Sequence, residues 1–255
     1  MPTAGRLNGK VAIVTGGGGG FGSGIVQKFV QEGAKVVVVD IQPSIADKVA
    51  EAYPPTQVVA VQADVSSQAD WGRVLKLTIE TFQYLDVVVN NAGVNPGAYT
   101  AIETPEEGYD RMMRINLKAL YYSTKAIIPY FLNNERDGVF VTVSSISASR
   151  PRPGAVWYAA SKAALTTASK GLALEWAKNG IRFNVVQPVL GDTPMGDALF
   201  SGNDTFEARK RALQTIPLGR LATPADIGNT VSWLGSDETT MLTGAVIDVD
   251  GGRGI

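Results

Sequence analysis

Val11-Ala12-Ile13-Val14-Thr15-Gly16-Gly17-Gly18-Gly19-Gly20-Phe21-Gly22 is the stretch that decides the fold of this chain. It opens as a short, apolar, β-branched run, the pattern of a buried strand. It then passes into five consecutive glycines. Beyond them Ile25, Val26, Phe29 and Val30 recur at helical spacing. Strand, glycine turn and helix together read as the first unit of a dinucleotide-binding sheet. Glycines let the backbone turn sharply and approach a pyrophosphate, whose charge is favoured at a helix N-terminus. A strand-to-helix turn that binds nothing can be just as glycine-rich. In a run of five, Gly17, Gly19 and Gly22 also meet G-x-G-x-x-G by accident. A P-loop is excluded, because no Lys-Ser or Lys-Thr follows the glycines. The second apolar run, Lys35-Val36-Val37-Val38-Val39, ends in Asp40, about 20 residues beyond the turn. A carboxylate there accepts the ribose hydroxyls of NAD and repels the 2′-phosphate of NADP.

Apolar runs and helical patterns alternate through the rest of the chain. That alternation predicts an α/β fold: one doubly wound, seven-stranded parallel sheet with helices on both faces. Strands are predicted near 10–15, 35–39, 58–62, 86–90, 138–144, 181–186 and 245–249. Helices are predicted near 21–32, 44–52, 67–83, 105–133, 157–178, 195–214 and 224–235. No linker or low-complexity stretch divides the 255 residues, so one domain over 1–255 is expected. In such sheets ligands bind beyond the carboxyl ends of the strands. Those ends carry small and polar groups: the glycine turn, Asp40, Asp64, Asn90-Asn91-Ala92-Gly93, Ser144-Ser145 and Gln187-Pro188.

Composition narrows the chemistry. The chain is 45% hydrophobic and 18% charged, with a net charge of −1. Nothing in that balance calls for nucleic acid. No apolar run approaches the roughly 20 residues that span a bilayer. The N-terminal residues resemble no secretory signal, and the absence of cysteine fits a cytoplasmic setting. There is also no histidine. A Ser-His-Asp hydrolase and a His-ligated zinc site are therefore excluded, and no metal site is expected. Acid–base chemistry must fall to Tyr, Lys, Asp or Glu.

Tyr158 and Lys162 are four residues apart at the start of a predicted helix and share a face. An ammonium beside a phenol favours the phenolate, and so brings a group that titrates near pH ~10 towards neutrality. Tyr121 and Lys125 form a second copy of the pattern. Context separates them. Ser145 lies 13 residues before Tyr158, at the end of an apolar strand, whereas Gly108 holds the equivalent place before Tyr121. Tyr121 is expected to be a packing residue. Asn116 falls in the middle of a predicted helix, where asparagine is a mediocre helix former.

With these motifs in order, the chain resembles the short-chain dehydrogenase/reductase family over its full length. The matches are Thr15-Gly16-x-x-x-Gly20-x-Gly22, Asn90-Asn91-Ala92-Gly93, Asn116, Ser145, Tyr158-x-x-x-Lys162, Arg182-x-Asn184 before Pro188, and Asp250-Gly251-Gly252. The resemblance implies an NAD-dependent oxidoreductase interconverting a secondary alcohol and a ketone. Tyr158 would exchange the proton and Ser145 would hydrogen-bond the reacting oxygen. Lys162 would lower the tyrosine pKa and hold the nicotinamide ribose, and Asn116 would anchor a proton-relay water. Gly16, Gly18, Gly19, Gly20 and Phe21 would line the pyrophosphate, and Asp40 the adenosine ribose. Asp64 and Val65 would meet the adenine, unless Asp64 only closes an Asx turn. Asn91, Ala92 and Gly93 would surround the inner ribose. NADP-preferring relatives place a basic residue where this chain has Gly19, Ile41 or Gln42, so NAD is the expected cofactor. Relatives usually read Pro-Gly after the Arg-x-Asn strand. This chain reads Pro188-Val189-Leu190-Gly191-Asp192-Thr193, so Pro188, residues 189 to 191 and Thr193 are expected at the carboxamide on an unfamiliar backbone. A family member that binds NAD for a structural or regulatory purpose is the alternative; the complete Ser-Tyr-Lys set favours redox chemistry.

Residues 192–216 are expected to form a helical lid whose Met195, Leu199, Phe200 and Phe206 face either an apolar substrate pocket or the lid's own core. Arg150 and Arg152, between Ser145 and Tyr158, either bind an acidic substrate or are solvated. Relatives pair long helices into a homotetramer. Here Leu120, Ile127, Leu165, Leu172 and Leu174 are expected on an apolar face left over for that purpose.

Overall fold

Each apolar run becomes a strand, and the five inner strands are largely buried on both faces. The computed structural model describes residues 5–198 and 205–255. The strands are β1 (Val11–Thr15), β2 (Lys35–Asp40), β3 (Val58–Gln62), β4 (Val87–Asn90), β5 (Gly138–Val143), β6 (Ile181–Pro188) and β7 (Val246–Val249). They pair in parallel throughout, in the order β3-β2-β1-β4-β5-β6-β7. The α/β class and the seven-stranded parallel sheet are as expected. Strand order reverses between β1 and β4, which creates the crevice where doubly wound sheets bind ligands.

Alternate residues enter two separate cores, as the two-residue period of a strand requires. Ala12, Val14, Val36, Val38 and Val89 pack under α1 (Gly20–Gln31) and α9 (Pro224–Leu234), with Ala46 of α2 (Pro43–Ala50). Val11, Ile13, Val37, Phe140 and Phe183 pack under α3 (Gln68–Phe82), α5 (Ala119–Asn133) and α6 (Val156–Trp176). Phe140 and Phe183 stack with ring centroids 4.5 Å apart, and Phe131 meets Phe140 edge to face. Their burial and ring contacts tie β5, β6 and α5 together.

The helix expected over 105–133 is interrupted. It divides into α4 (Glu106–Met113), a π-helical turn at Arg114–Lys118, and α5. The helix expected over 195–214 becomes α7 (Pro194–Ala198) and α8 (Thr205–Gln214). Leu199 and Phe200, expected in the lid, lie outside the described residues. Phe206 is exposed and does not line the main cavity, whereas Met195 does.

The leftover apolar face is smaller than expected. Leu120, Ile127 and Leu165 are buried within this chain, in keeping with the way α5 lies against α3 and α6 against β6. Leu174 remains 85% exposed. Tyr121 is also exposed rather than packed into the core, with Lys125 Nζ 5.6 Å from its ring centroid.

Candidate active site

A cavity of about 760 Å³ opens along the carboxyl edge of the sheet. Gly16, Gly19, Gly20, Phe21, Asp40, Asp64 and Val65 line it on the β1 side of the reversal, and Asn91, Ala92 and Gly93 line it where the chain leaves β4. Ser145, Tyr158, Lys162, Pro188, Val189, Gly191 and Thr193 line it on the other side. Two expected residues do not reach its wall. Gly18 packs against Ile45 and Ala46, and Asn116 sits deeper, behind Gly93.

The glycine turn is shaped by two steric demands. Gly16 adopts φ +61°, a left-handed conformation that side chains disfavour. At Gly22 a Cβ would lie 1.9 Å from the Gly16 carbonyl oxygen, so only glycine lets the first turn of α1 close over the strand end. The helix N-terminus is thereby aimed into the cavity, where its amide groups favour an anion. Gly18 acts indirectly: its N–H donates to Asp40 Oδ2 at 3.2 Å. The Gln42 N–H donates to Asp40 Oδ1 at 3.1 Å. Held by both, the Asp40 carboxylate is fixed at the end of β2.

Thr15 organises the neighbouring strand end. Its hydroxyl donates to the Val89 carbonyl and accepts from the Asn91 and Ala92 amides at 3.0 and 3.1 Å. The Asn91 side chain donates back to the carbonyls of Thr15 and Gly16. The sequence contained a clue: Thr15 is the one polar residue in an otherwise apolar strand. Asp64 closes an Asx turn through Oδ1, which accepts from Ser66 N–H and Oγ–H, and it still lines the cavity. The two expectations for it are compatible.

The acid–base residues meet at the ends of β5 and α6. Tyr158 is half-buried, with Ser145 beside it on the cavity wall. Burial pushes its phenol up, while the Ser145 hydroxyl and the Arg152 charge pull it down. Lys162 makes no hydrogen bond to the phenol among the described residues. Lys162 Nζ instead donates to the Val143 carbonyl at 3.0 Å and lies 5.9 Å from the tyrosine ring centroid. Burial lowers the Lys162 pKa to about 8. Ser144, Thr166 and Gln187, to which the sequence assigned no role, pin this corner. Ser144 Oγ donates to the Lys162 carbonyl at 2.8 Å, Thr166 Oγ1 to Ser144 Oγ at 3.0 Å, and Gln187 Nε2 to Thr166 Oγ1 at 3.1 Å.

Asn116 explains the π-helical turn. Its Oδ1 accepts the Val94 N–H at 2.8 Å and its Nδ2 donates to the Val94 carbonyl at 2.9 Å. Nδ2 also donates to Ser161 Oγ, which donates to the Tyr158 carbonyl. One side chain thus joins the loop after β4 to α6. A local change of helical pitch is a known way to aim such a residue.

The unfamiliar Pro188–Gly191 backbone extends the sheet edge. The Val189 N–H donates to the Val249 carbonyl at 3.1 Å, and Gly191 pairs in parallel with Ala222. Val189 therefore has no amide left for a ligand. The amides of Leu190 and Gly191 have no partner among the described residues. An anchored carboxylate, a helix N-terminus, two open amides and a cavity within the roughly 300–1,000 Å³ of ligand sites fit a dinucleotide.

Comparison with known proteins agrees. A family model described as enoyl-(acyl carrier protein) reductase matches residues 17–253. The chain belongs to the short-chain dehydrogenase/reductase family of oxidoreductases. It is 41% identical over 252 residues to the 4-formylbenzenesulfonate dehydrogenase of Comamonas testosteroni, covering 98% of this chain and 100% of the relative. It is 36% identical over 250 residues to the 3-oxoacyl-(acyl-carrier-protein) reductase of Thermotoga maritima, covering 97% and 98%. The crystal structure of 3-ketoacyl-(acyl-carrier-protein) reductase from Brucella melitensis, complexed with NADH, superposes with a TM-score of 0.92 at 37% identity, covering 98% of this chain and 100% of that one.

The buried lysine gives a pH signature. Its folded pKa of about 8 lies below the 10.5 of an unperturbed lysine. The unfolded chain therefore binds more protons between those values, and stability should rise with pH from about 8 to 10.5. Denaturant titrations across this range, without added cofactor, should show that rise. It should be absent in Lys162→Met.

Proposed function

We propose that this oxidoreductase uses NAD to interconvert a secondary alcohol and a ketone, with Tyr158 as the proton donor and acceptor. The observation that carries the reading is the placement of Tyr158, Ser145 and Lys162 on one cavity wall, opposite the fixed Asp40 carboxylate. In the oxidation direction Tyr158 takes the proton from the substrate hydroxyl. In the reduction direction it returns a proton to the carbonyl oxygen. Ser145 holds that oxygen within reach of the phenol. Lys162, fixed by the Val143 carbonyl, offers its remaining N–H donors to a ribose. The glycine turn and the N-terminus of α1 receive the pyrophosphate, and the Leu190 and Gly191 amides meet the carboxamide. Asn116 is a positioning residue: it fixes the loop after β4 against α6. When bound, the nicotinamide supplies the hydride chemistry, and the protein orients it. The complex with NADH reported for the Brucella protein supports a nicotinamide cofactor here.

The reading extends to a homotetramer formed through the exposed parts of α5 and α6, where Tyr121 and Leu174 stand out from the surface. Mass by light scattering reads that state directly.

Tyr158→Phe should lower kcat by about 10²–10⁴, the usual contribution of a general acid–base, while NADH affinity changes little. Steady-state kinetics on a panel of secondary alcohols and ketones, with NADH binding measured in parallel, checks this. Tyr121→Phe should keep wild-type kinetics, because Tyr121 lies on the outer surface. Wild-type rates in Tyr158→Phe would contradict the assignment.

Cofactor choice rests on Asp40. Its carboxylate would oppose a 2′-phosphate, so kcat/KM should favour NAD over NADP. Asp40→Ser should narrow that ratio by an order of magnitude or more, since losing one charge repulsion of about 1.4 kcal/mol changes a ratio tenfold. Equal efficiency with both cofactors in the unmutated protein would overturn the argument.

A further inference from the structure

Two arginines on the same cavity wall form no salt bridge among the described residues. Arg152 and Arg253 both line the cavity that holds Tyr158. Three carboxylates in the region are committed elsewhere. Asp192 and Asp197 bind Arg209. The Asp250 carboxylate accepts from the backbone amides of Gly252 and Gly254 instead.

The two guanidiniums are also held differently from their neighbour Arg150. Arg150 donates to the carbonyls of Arg253 and Ile255, so it braces the last residues of the chain. Arg253 donates through Nη1 to the Thr215 hydroxyl, itself part of the cavity wall. That bond leaves most of its five N–H donors free. Arg152 has no side-chain hydrogen bond among the described residues and stands exposed at the rim. Its charge nevertheless reaches the Tyr158 phenol, and Arg253 is lowered by burial and by the charges of Arg150 and Arg152, with the Asp250 charge acting weakly the other way. Cations brought together with no salt-bridged carboxylate between them destabilise one another. A site that tolerates this is prepared for an anion.

We propose that Arg152 and Arg253 form an oxyanion subsite beside Tyr158, and that the substrate carries a carboxylate alongside its carbonyl or hydroxyl group. The planar guanidinium fork matches a carboxylate in two-point geometry, which fixes orientation as well as charge. An anion held there leaves the other end of the substrate to meet Ser145 and Tyr158. The proposal rests on the oxidoreductase reading above for the chemistry at Tyr158, but not for the binding of the anion.

Two measurements separate the readings. In the first, 3-oxobutanoate, 4-oxopentanoate, 5-oxohexanoate and 4-acetylbenzoate are each compared with their methyl esters as substrates with NADH. At least one acid should exceed its ester by about ten-fold or more in kcat/KM, the value of a hydrogen bond to a charged group. The difference should appear mainly in KM. The acid-to-ester ratio should fall towards one in Arg152→Gln and in Arg253→Gln, and Arg152→Lys should retain more of it than Arg152→Gln. In the second, the same acids and esters bind the protein loaded with NAD, followed by calorimetry. Ketone and NAD are both oxidised, so nothing turns over. The acid should again bind more tightly, and the preference should again be lost in Arg152→Gln. Turnover of esters and acids with equal efficiency would overturn the subsite and leave the redox reading standing. Preferential binding of acids without turnover of any ketone would support the subsite and overturn the redox reading. Equal binding of acids and esters in the loaded protein would overturn the subsite, whatever the kinetics.

Discussion

The order of the sheet reverses between β1 and β4, and one hydroxyl holds the two strand ends together there. Thr15 Oγ1 bonds Val89, Asn91 and Ala92 at once. The crevice depends on this junction. The chain leaving β1 turns one way into the glycine loop, and the chain leaving β4 turns the other way towards Asn116. Between them lies a space into which strand ends, a helix N-terminus and backbone amides all point. Replacing Thr15 by valine would keep the shape but leave the Ala92 amide without its acceptor, a cost of about 1–3 kcal/mol for an unsatisfied group, while the Asn91 amide would keep the Val89 carbonyl.

Around that junction, polar side chains take up positions that the apolar core cannot specify. Asn116 ties the β4 loop to α6, and the Ser144–Thr166–Gln187 chain ties α6 to the ends of β5 and β6. The result is a tyrosine and a lysine presented from a long helix whose own position is fixed at several points. Rigidity of this sort is what acid–base chemistry needs, because the reacting oxygen must sit within hydrogen-bond reach of the phenol. Burial of Lys162 is the cost, and its depressed pKa is the visible sign of it.

Much of the architecture was legible in the sequence because strands buried on both faces are written as unbroken β-branched runs. Val36 to Val39 and Val87 to Val89 allow no other reading, and both became central strands. The places where sequence reading failed share one cause: they depend on contacts between distant segments. The π-helical turn shifts the helical register without leaving a breaker residue in the sequence, and only the Asn116 contacts with the Val94 backbone account for it. Leu120 and Ile127 read as surplus apolar residues because their partners lie on elements far away in the chain. Gly18 counts as one more glycine until Asp40, at the end of the next strand, is seen to take its amide. Lys162 shares a face with Tyr158, as the spacing required, yet its ammonium is held by Val143, which no local pattern reveals. Arg253 stood unremarked in the terminal Asp-Gly-Gly segment, because nothing local places it beside Arg152.

The claim at the centre of this account is that one crevice holds the dinucleotide and presents its nicotinamide to Tyr158. A crystal structure of the protein with NADH tests it most directly. The account predicts the pyrophosphate over the glycine turn, the adenosine ribose on the Asp40 carboxylate, and the nicotinamide facing the Tyr158 hydroxyl. NADH bound elsewhere, or bound there with the nicotinamide turned away from Tyr158, would contradict it.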